Sequence, residues 1–129
     1  MFSIDQIKIA HSKVESGADF PAYIHAIKAL GVAGYETWVK DSHTDYFAAN
    51  DFSISSGPMY ADLSISNTAQ PLQFQAYLKL HQEGGSDYYT FCQHCAETGV
   101  EKWVVSLEGM TCTYYDKAGN VVLEEKIPG

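Results

Sequence analysis

The chain has 129 residues, of which 46% are hydrophobic and 19% charged, so it is long enough to bury a core and has the composition of one globular domain. Its formal net charge is −8, with only eight Lys and Arg residues, which excludes a basic stripe for nucleic-acid phosphates and disfavours adsorption to anionic membranes. No apolar run approaches the roughly 20 residues that are needed to cross a bilayer.

The beginning of the chain and its cysteine content indicate a compartment. The N-terminal residues lack the basic region and the apolar core of a secretory signal. Three cysteines, an odd number, do not make a disulfide framework. We therefore expect a soluble protein of the reducing cytoplasm, without a nucleic-acid or membrane partner.

Apolar residues at helical spacing predict two helices at the start of the chain. The first covers residues 4–16 and begins at the N-cap Ser3. The second covers residues 20–30, with Asp19 as its N-cap and Gly31 as its stop.

Alternating apolar residues then predict β-strands. They indicate strands at Tyr35–Val39, Thr44–Ala48 and Phe52–Ser55, with residues 40–43 as the first connection. The alternation over residues 60–66 is weaker, and we interpret that segment as a fourth strand.

The second half of the chain repeats this order of elements. A helix contains Leu72–His81, and a second helix begins at Asp87 and ends at Gly99. Residues 100–115 have the pattern of a β-hairpin with Glu108 and Gly109 as a two-residue turn, and a final strand covers residues 121–126.

The two halves align at an offset of 68 residues. Gly31 then falls on Gly99 (99 − 31 = 68), and Tyr46 falls on Tyr114 (114 − 46 = 68). The matches fall at caps, helix stops and core aromatics, where physical requirements restrict the choice of residue. We therefore predict an internal duplication with units 1–66 and 67–129.

The expected fold is a single α+β domain, residues 1–129, in which an antiparallel β-sheet is covered on one face by two helix pairs. In the second hairpin, Trp103 and Tyr114 face the core as a cross-strand pair. By the repeat, Tyr35 points the same way. Glu36 and Trp38 then lie on the opposite face of the sheet.

The Cys92-Gln93-His94-Cys95 stretch has the Cys-x-x-Cys spacing of zinc half-sites and redox pairs. A structural zinc needs four ligands, and the sequence has no second half-site. Cys92 and Cys95 align with Ile24 and Ile27 at the offset of 68, which favours core packing over a metal or redox role. We interpret His94 as a surface residue of the helix.

Four residues of the first hairpin form the candidate site: Glu36, Trp38, His43 and Asp45. A carboxylate pair, an imidazole and an indole on an open sheet face could bind a metal, act in acid–base chemistry, or hold a ligand or partner by the aromatic anchor. The alternative is a solvated hairpin with ordinary cross-strand pairs. Large exposed aromatic residues tend to mark contacts, so Trp38 is the strongest member.

Five stretches of the sequence together carry a resemblance to a known family: 16–21 (SGADFP), 34–39 (GYETWV), 77–82 (YLKLHQ), 91–96 (FCQHCA) and 110–116 (MTCTYYD). With them the chain resembles the YbcV-like bacterial proteins, a family of unknown function of which some members carry the label "phage envelope protein". The resemblance spans nearly the whole chain, but it implies no catalytic residue, cofactor or partner.

Three functions follow as hypotheses. The first is a non-enzymatic binding domain that uses the sheet face around Trp38, or a groove between the helix pairs, to contact a protein or small molecule, with a homodimer as one form. The second is a small enzyme or metal-binding protein that uses Glu36, His43 and Asp45. The third is a phage-associated structural protein. The sequence has no phosphate-binding loop, nucleophile elbow or His-Glu-x-x-His motif, so we predict no cofactor, metal ligand or catalytic residue.

Overall fold

A computed structural model describes residues 2–14 and 19–127 and has an α+β fold. Within these residues, six antiparallel strands form one sheet, and four helices pack in two pairs on one of its faces. The elements are α1 (Ile4–His11), α2 (Phe20–Ala29), β1 (Val32–Trp38), β2 (Thr44–Ala48), β3 (Ser53–Ser55), α3 (Pro71–Gln82), α4 (Tyr88–Glu97), β4 (Val100–Ser106), β5 (Thr111–Asp116) and β6 (Val121–Lys126).

The strand order across the sheet is β3-β2-β1-β4-β5-β6. The first strand of each half therefore lies at the centre, and the later strands follow outward on both sides. Every pairing is antiparallel. This arrangement confirms the predicted fold class.

The predicted first helix is too long. Ser3 and Gln6 form the capping box that starts α1, but the helix ends at His11. The Ser12 side chain donates a hydrogen bond to the Ile9 carbonyl at 2.6 Å, and its N–H bonds to earlier carbonyls of the helix, which closes the last turn. Residues 15 and 16 of the predicted helix lie outside the described residues.

The other three helices occur where they were predicted. Asp87 caps α4 by accepting a hydrogen bond from the Thr90 N–H at 2.7 Å. Gly31 follows α2 with φ +104°, and Gly99 follows α4 with φ +82°. Both glycines therefore adopt the left-handed conformation that ends helices.

The fourth strand predicted over residues 60–66 is wrong. This segment is irregular because its N–H groups bond to loops and a helix end instead of a neighbouring strand. The Leu63 N–H bonds to the Lys40 carbonyl at 2.7 Å, and the Ser66 N–H bonds to the Ala96 carbonyl at 2.8 Å. The segment thus connects the first hairpin to the end of α4.

The second hairpin has a four-residue connection, not the predicted two-residue turn. Ser106 and Thr111 form the last pair of the ladder, and residues 107–110 make the turn. Met110 has φ +52°, which takes it out of the strand conformation. The predicted pairing of Trp103 with Tyr114 is confirmed, so the facing of the side chains is unchanged.

The core lies between the helices and one face of the sheet, the inner face. Tyr35 is 6% exposed and Val39 is fully buried, as their predicted facing requires. Cys92 and Cys95 are fully buried beneath α4. The helices thus reach the sheet through the residues that the repeat alignment assigns to packing.

Several backbone features recur 68 residues apart. Gly31 and Gly99 have positive φ, and so do Ser42 and Met110 (110 − 42 = 68). β1 and β4 have the same pattern of burial. An internal duplication predicts such coincidences, but the duplication itself stays a prediction.

Candidate functional site

The candidate site lies on the outer face of the sheet, opposite the helices. Strand pairing forms two parallel rows of side chains there. One row places Trp38 beside Lys102 and Lys102 beside Tyr115. The other row crosses all six strands in the order Ser55, Asp45, Glu36, Val104, Thr113 and Glu124.

The Lys102 ammonium group is the centre of the first row. Its Nζ lies 2.5 Å from Oε1 of Glu36. It also lies 4.9 Å from the centre of the Trp38 ring and 5.5 Å from the centre of the Tyr115 ring. Both distances are within the range of a cation–π interaction. The cation thus has an aromatic ring on either side and a carboxylate as its third neighbour.

His43 is held in place by Asp41 and Trp38. Its Nδ1 lies 2.5 Å from Oδ1 of Asp41, which also accepts the His43 backbone N–H at 3.0 Å. The imidazole is nearly parallel to the indole of Trp38, with ring centres 6.0 Å apart. Burial alone would raise the pKa of Asp41, but the two hydrogen bonds from His43 outweigh it, so the pKa lies below its ordinary value.

Asp45 and Glu36 are directly opposite each other on neighbouring strands. Like charges at such positions repel, so each needs a separate partner. Glu36 has Lys102, and Asp45 accepts a hydrogen bond from the Ser55 hydroxyl at 2.5 Å. The structure thus places all four residues of the sequence-predicted site on one face, but gives their polar groups different partners.

The contacts do not form a metal site. Within residues 2–14 and 19–127, no group of three or more His, Cys, Asp or Glu side chains is arranged to hold a metal ion. The Asp41-Ser42-His43 sequence does not form a catalytic triad either. Ser42 is 1% exposed and points away from the Asp41–His43 pair, with its hydroxyl 2.5 Å from that of Tyr88.

Sequence reasoning missed Lys102, Tyr115 and Asp41. The alternation in the second hairpin does place Lys102 and Tyr115 on the face of the sheet that points away from the core, since Trp103 and Tyr114 point into it. What the sequence did not reveal is that β4 pairs with β1, which brings Lys102 beside Trp38. Asp41 was assigned to a connection, and its Asx-type contact with His43 could have been found from the spacing of two residues.

The cysteines are packing residues. Desolvation by burial raises the pKa of all three thiols, and that of Cys112 to about 12, so little thiolate exists at neutral pH. The surface assignment of His94 is wrong. Its ring is half-buried and stacks on Tyr77 with ring centres 3.7 Å apart, because both side chains lie between α3 and α4.

A groove lies between α1 and α2, within the first helix pair. Its volume is about 250 Å³, and it is lined mainly by apolar side chains. They include Ile9, which is 62% exposed.

A comparison with models of protein families shows to which family the chain is related. A model described as "Protein of unknown function (DUF1398)" matches residues 8–126. The chain belongs to this family. No curated protein matches the DUF1398 chain significantly. None of the helices in the described ranges is both long and apolar enough to cross a membrane.

Proposed function

We propose that this DUF1398 protein is a non-enzymatic binding domain and that the outer face around Trp38 is its contact surface. The observation that supports this most directly is the arrangement of Lys102, whose ammonium lies between two aromatic rings on a sheet face that the helices leave open. Such a surface is partly desolvated, and the strand pairing sets the positions of its residues before any partner arrives. Preorganised aromatic and charged groups are typical of binding surfaces.

The separate partners of the ionisable groups favour binding over catalysis. A general base must reach a substrate proton, and a nucleophile must reach its base. Here the Glu36 carboxylate engages Lys102, and His43 engages Asp41. We further propose that the protein is cytoplasmic, belongs to the YbcV-like group and can form a homodimer through the same face.

Site-specific photo-crosslinking tests the proposed surface. A photoreactive amino acid replaces Val104, which lies between Glu36 and Thr113 on the outer face, and in the matched control it replaces Gln75 on the exposed side of α3. We expect cross-links to a partner or a second copy from position 104 but not from position 75. Equal cross-linking from both positions, or none from position 104, would contradict the proposal.

A thermal-shift screen of the reduced protein against metabolites and divalent metals separates the kinds of partner. A small molecule present at a hundred times its Kd adds about 2.7 kcal/mol to the free energy of unfolding. A shift that Trp38→Ala abolishes would identify a small-molecule ligand of the outer face. A metal-dependent shift that His43→Ala abolishes would instead support the metal hypothesis.

The phage-associated structural role makes a different prediction, which light scattering tests. A structural protein forms ordered higher assemblies, whereas a binding domain stays a monomer or dimer at high concentration. Large, uniform assemblies of the purified protein would therefore overturn the binding-domain proposal.

A further inference from the structure

The centre of the outer face is a cation site that the chain fills with its own side chain. The site consists of Trp38, Tyr115 and Glu36, and the Lys102 ammonium occupies it. The Lys102 side chain is 26% exposed and that of Glu36 is 19% exposed, so both are partly withdrawn from water. The outer face thus has a recognition site for a positive group.

We propose that the outer face binds a basic peptide segment of a partner protein, and that a lysine or arginine side chain of this segment displaces the Lys102 ammonium from the cation site. This inference rests on the proposed function and names the chemistry of the partner. Two aromatic rings with a carboxylate recognise an alkylammonium or guanidinium group, and neutral groups gain none of these interactions.

The charge of the protein fits a basic partner. The formal net charge is −8, so a positive segment is attracted over a long distance and a negative one is repelled. Near the site, Asp45 lies directly beside Glu36 and accepts a hydrogen bond from the Ser55 hydroxyl, whereas Lys102 pairs with Glu36. Lys102 neutralises only Glu36. A cation that reaches both carboxylates would also relieve the repulsion between Glu36 and Asp45.

Lys102 can leave the site at low cost. Its ammonium is partly exposed on an open face, and its long flexible stem allows the group to move into water without a change in the backbone. The ion pair lies on an open face and not in the core, and holding two long side chains together costs entropy, so its net contribution to stability is small. A partner that brings further contacts can therefore replace it.

The test measures binding of a short blocked peptide, acetyl-Gly-Lys-Gly-amide, by NMR of the Trp38 indole N–H. The Lys102→Met variant removes the internal competitor and keeps the length of the side chain. We expect its Kd for the peptide to fall about tenfold below that of the wild type, which corresponds to about 1.4 kcal/mol. The same peptide with norleucine in place of lysine should not bind.

Lys126→Met is the matched control. Lys126 lies on the same face, opposite Thr111, and its removal changes the net charge by the same amount without touching the cation site. We expect no change in Kd for this variant, and loss of binding when Tyr115→Leu is added to Lys102→Met. Near-UV circular dichroism checks that each variant is folded.

Two results would overturn the inference. One is an equal effect of Lys102→Met and Lys126→Met, which would mean that overall charge alone determines binding. The other is a folded Lys102→Met protein that does not bind the lysine peptide. Cross-links from position 104 would survive either result if the outer face binds a partner of another chemistry, so the two proposals fail separately.

Discussion

The two halves of the molecule have the same order of elements, two helices followed by three strands, but use their outer faces differently. Positions 68 residues apart carry similar residues on the inner face, such as Tyr35 and Trp103 or Val39 and Leu107, all of which are buried. On the outer face most of the paired residues differ in chemical type, although Phe47 and Tyr115 are both aromatic. The pairs are Glu36 and Val104, Trp38 and Ser106, His43 and Thr111, Asp45 and Thr113, Gly34 and Lys102, and Phe47 and Tyr115.

This difference shows which requirements the fold imposes and which it leaves free. Residues facing the helices must fill a close-packed core, so their size and polarity are restricted. Residues on the outer face meet no such restriction. The cluster around Trp38 is therefore not a by-product of the shared order of elements, because the residues 68 positions away in the other half build nothing similar.

The largest expected effect concerns the helices. Ile24 and Cys92 occupy equivalent positions in α2 and α4, and both are fully buried. Ile24→Ala should lower the free energy of unfolding by roughly 2 to 5 kcal/mol, because it leaves a large cavity. Cys92→Ala removes only one heavy atom and should cost less. Urea denaturation measures both, and an equal loss would contradict the expectation that the cost follows the side-chain volume removed from the core.

The next effect separates the two glycines that end α2 and α4. A Cβ on Gly31 would meet its nearest atom at 3.9 Å, whereas a Cβ on Gly99 would lie 2.7 Å from the Thr68 carbonyl oxygen. Gly31→Ala should cost about 1 to 2 kcal/mol for its positive φ alone. Gly99→Ala should cost more, because the segment before α3 must also move. Thermal unfolding of the two variants side by side tests this order.

The third effect concerns a polar pair in the core of the first half. The hydroxyls of Thr37 and Thr44 are 2.9 Å apart and buried, and the equivalent residues are Val105 and Cys112. Thr44→Val should cost roughly 1 to 3 kcal/mol because it leaves the Thr37 hydroxyl without this partner.

The double variant Thr37→Val/Thr44→Val provides the control. Replacing both partners by apolar groups of the same shape can be nearly neutral. We therefore expect the double variant to be more stable than Thr44→Val. A double variant that is less stable than Thr44→Val would contradict this expectation, because it would mean that the Thr37 hydroxyl stabilises the fold even without its partner.

The smallest effect is a pH dependence of stability that arises from Asp41. We expect it in the first half alone, because the residue 68 positions after Asp41 is Gly109, which has no carboxyl group. The folded-state pKa of Asp41 lies below the ordinary value of 3.8. Its stabilising contact is therefore complete above that pH and is lost as the pH falls through the folded-state pKa. His43→Ala should raise the pKa of Asp41, which carbon NMR titration of its carboxyl group measures. An unchanged pKa would mean that His43 does not hold this carboxylate.

The sequence allowed most of the fold to be predicted, because caps, helix periodicity and strand alternation are local signals. The strand predicted over residues 60–66 was wrong, because apolar and polar residues also alternate in this irregular segment, whose N–H groups bond to a loop and a helix end. For the site, the facing of Glu36 and Trp38 followed from the strand period of two. Lys102 could not be assigned to them, because the pairing of β1 with β4 depends on the assembly of distant segments.

The pairing of β1 with β4 also has a consequence for folding. It joins residues such as Trp38 and Lys102, which are 64 positions apart (102 − 38 = 64), whereas the other four ladders connect consecutive strands. Loop closure over such a distance is slow, so we expect each half to form its hairpins first and this ladder last. Pulse-labelled hydrogen exchange during refolding should show late protection of the β1–β4 amides. The outer-face cluster straddles this ladder, and it would therefore be absent from any intermediate in which the two halves have formed but not yet joined.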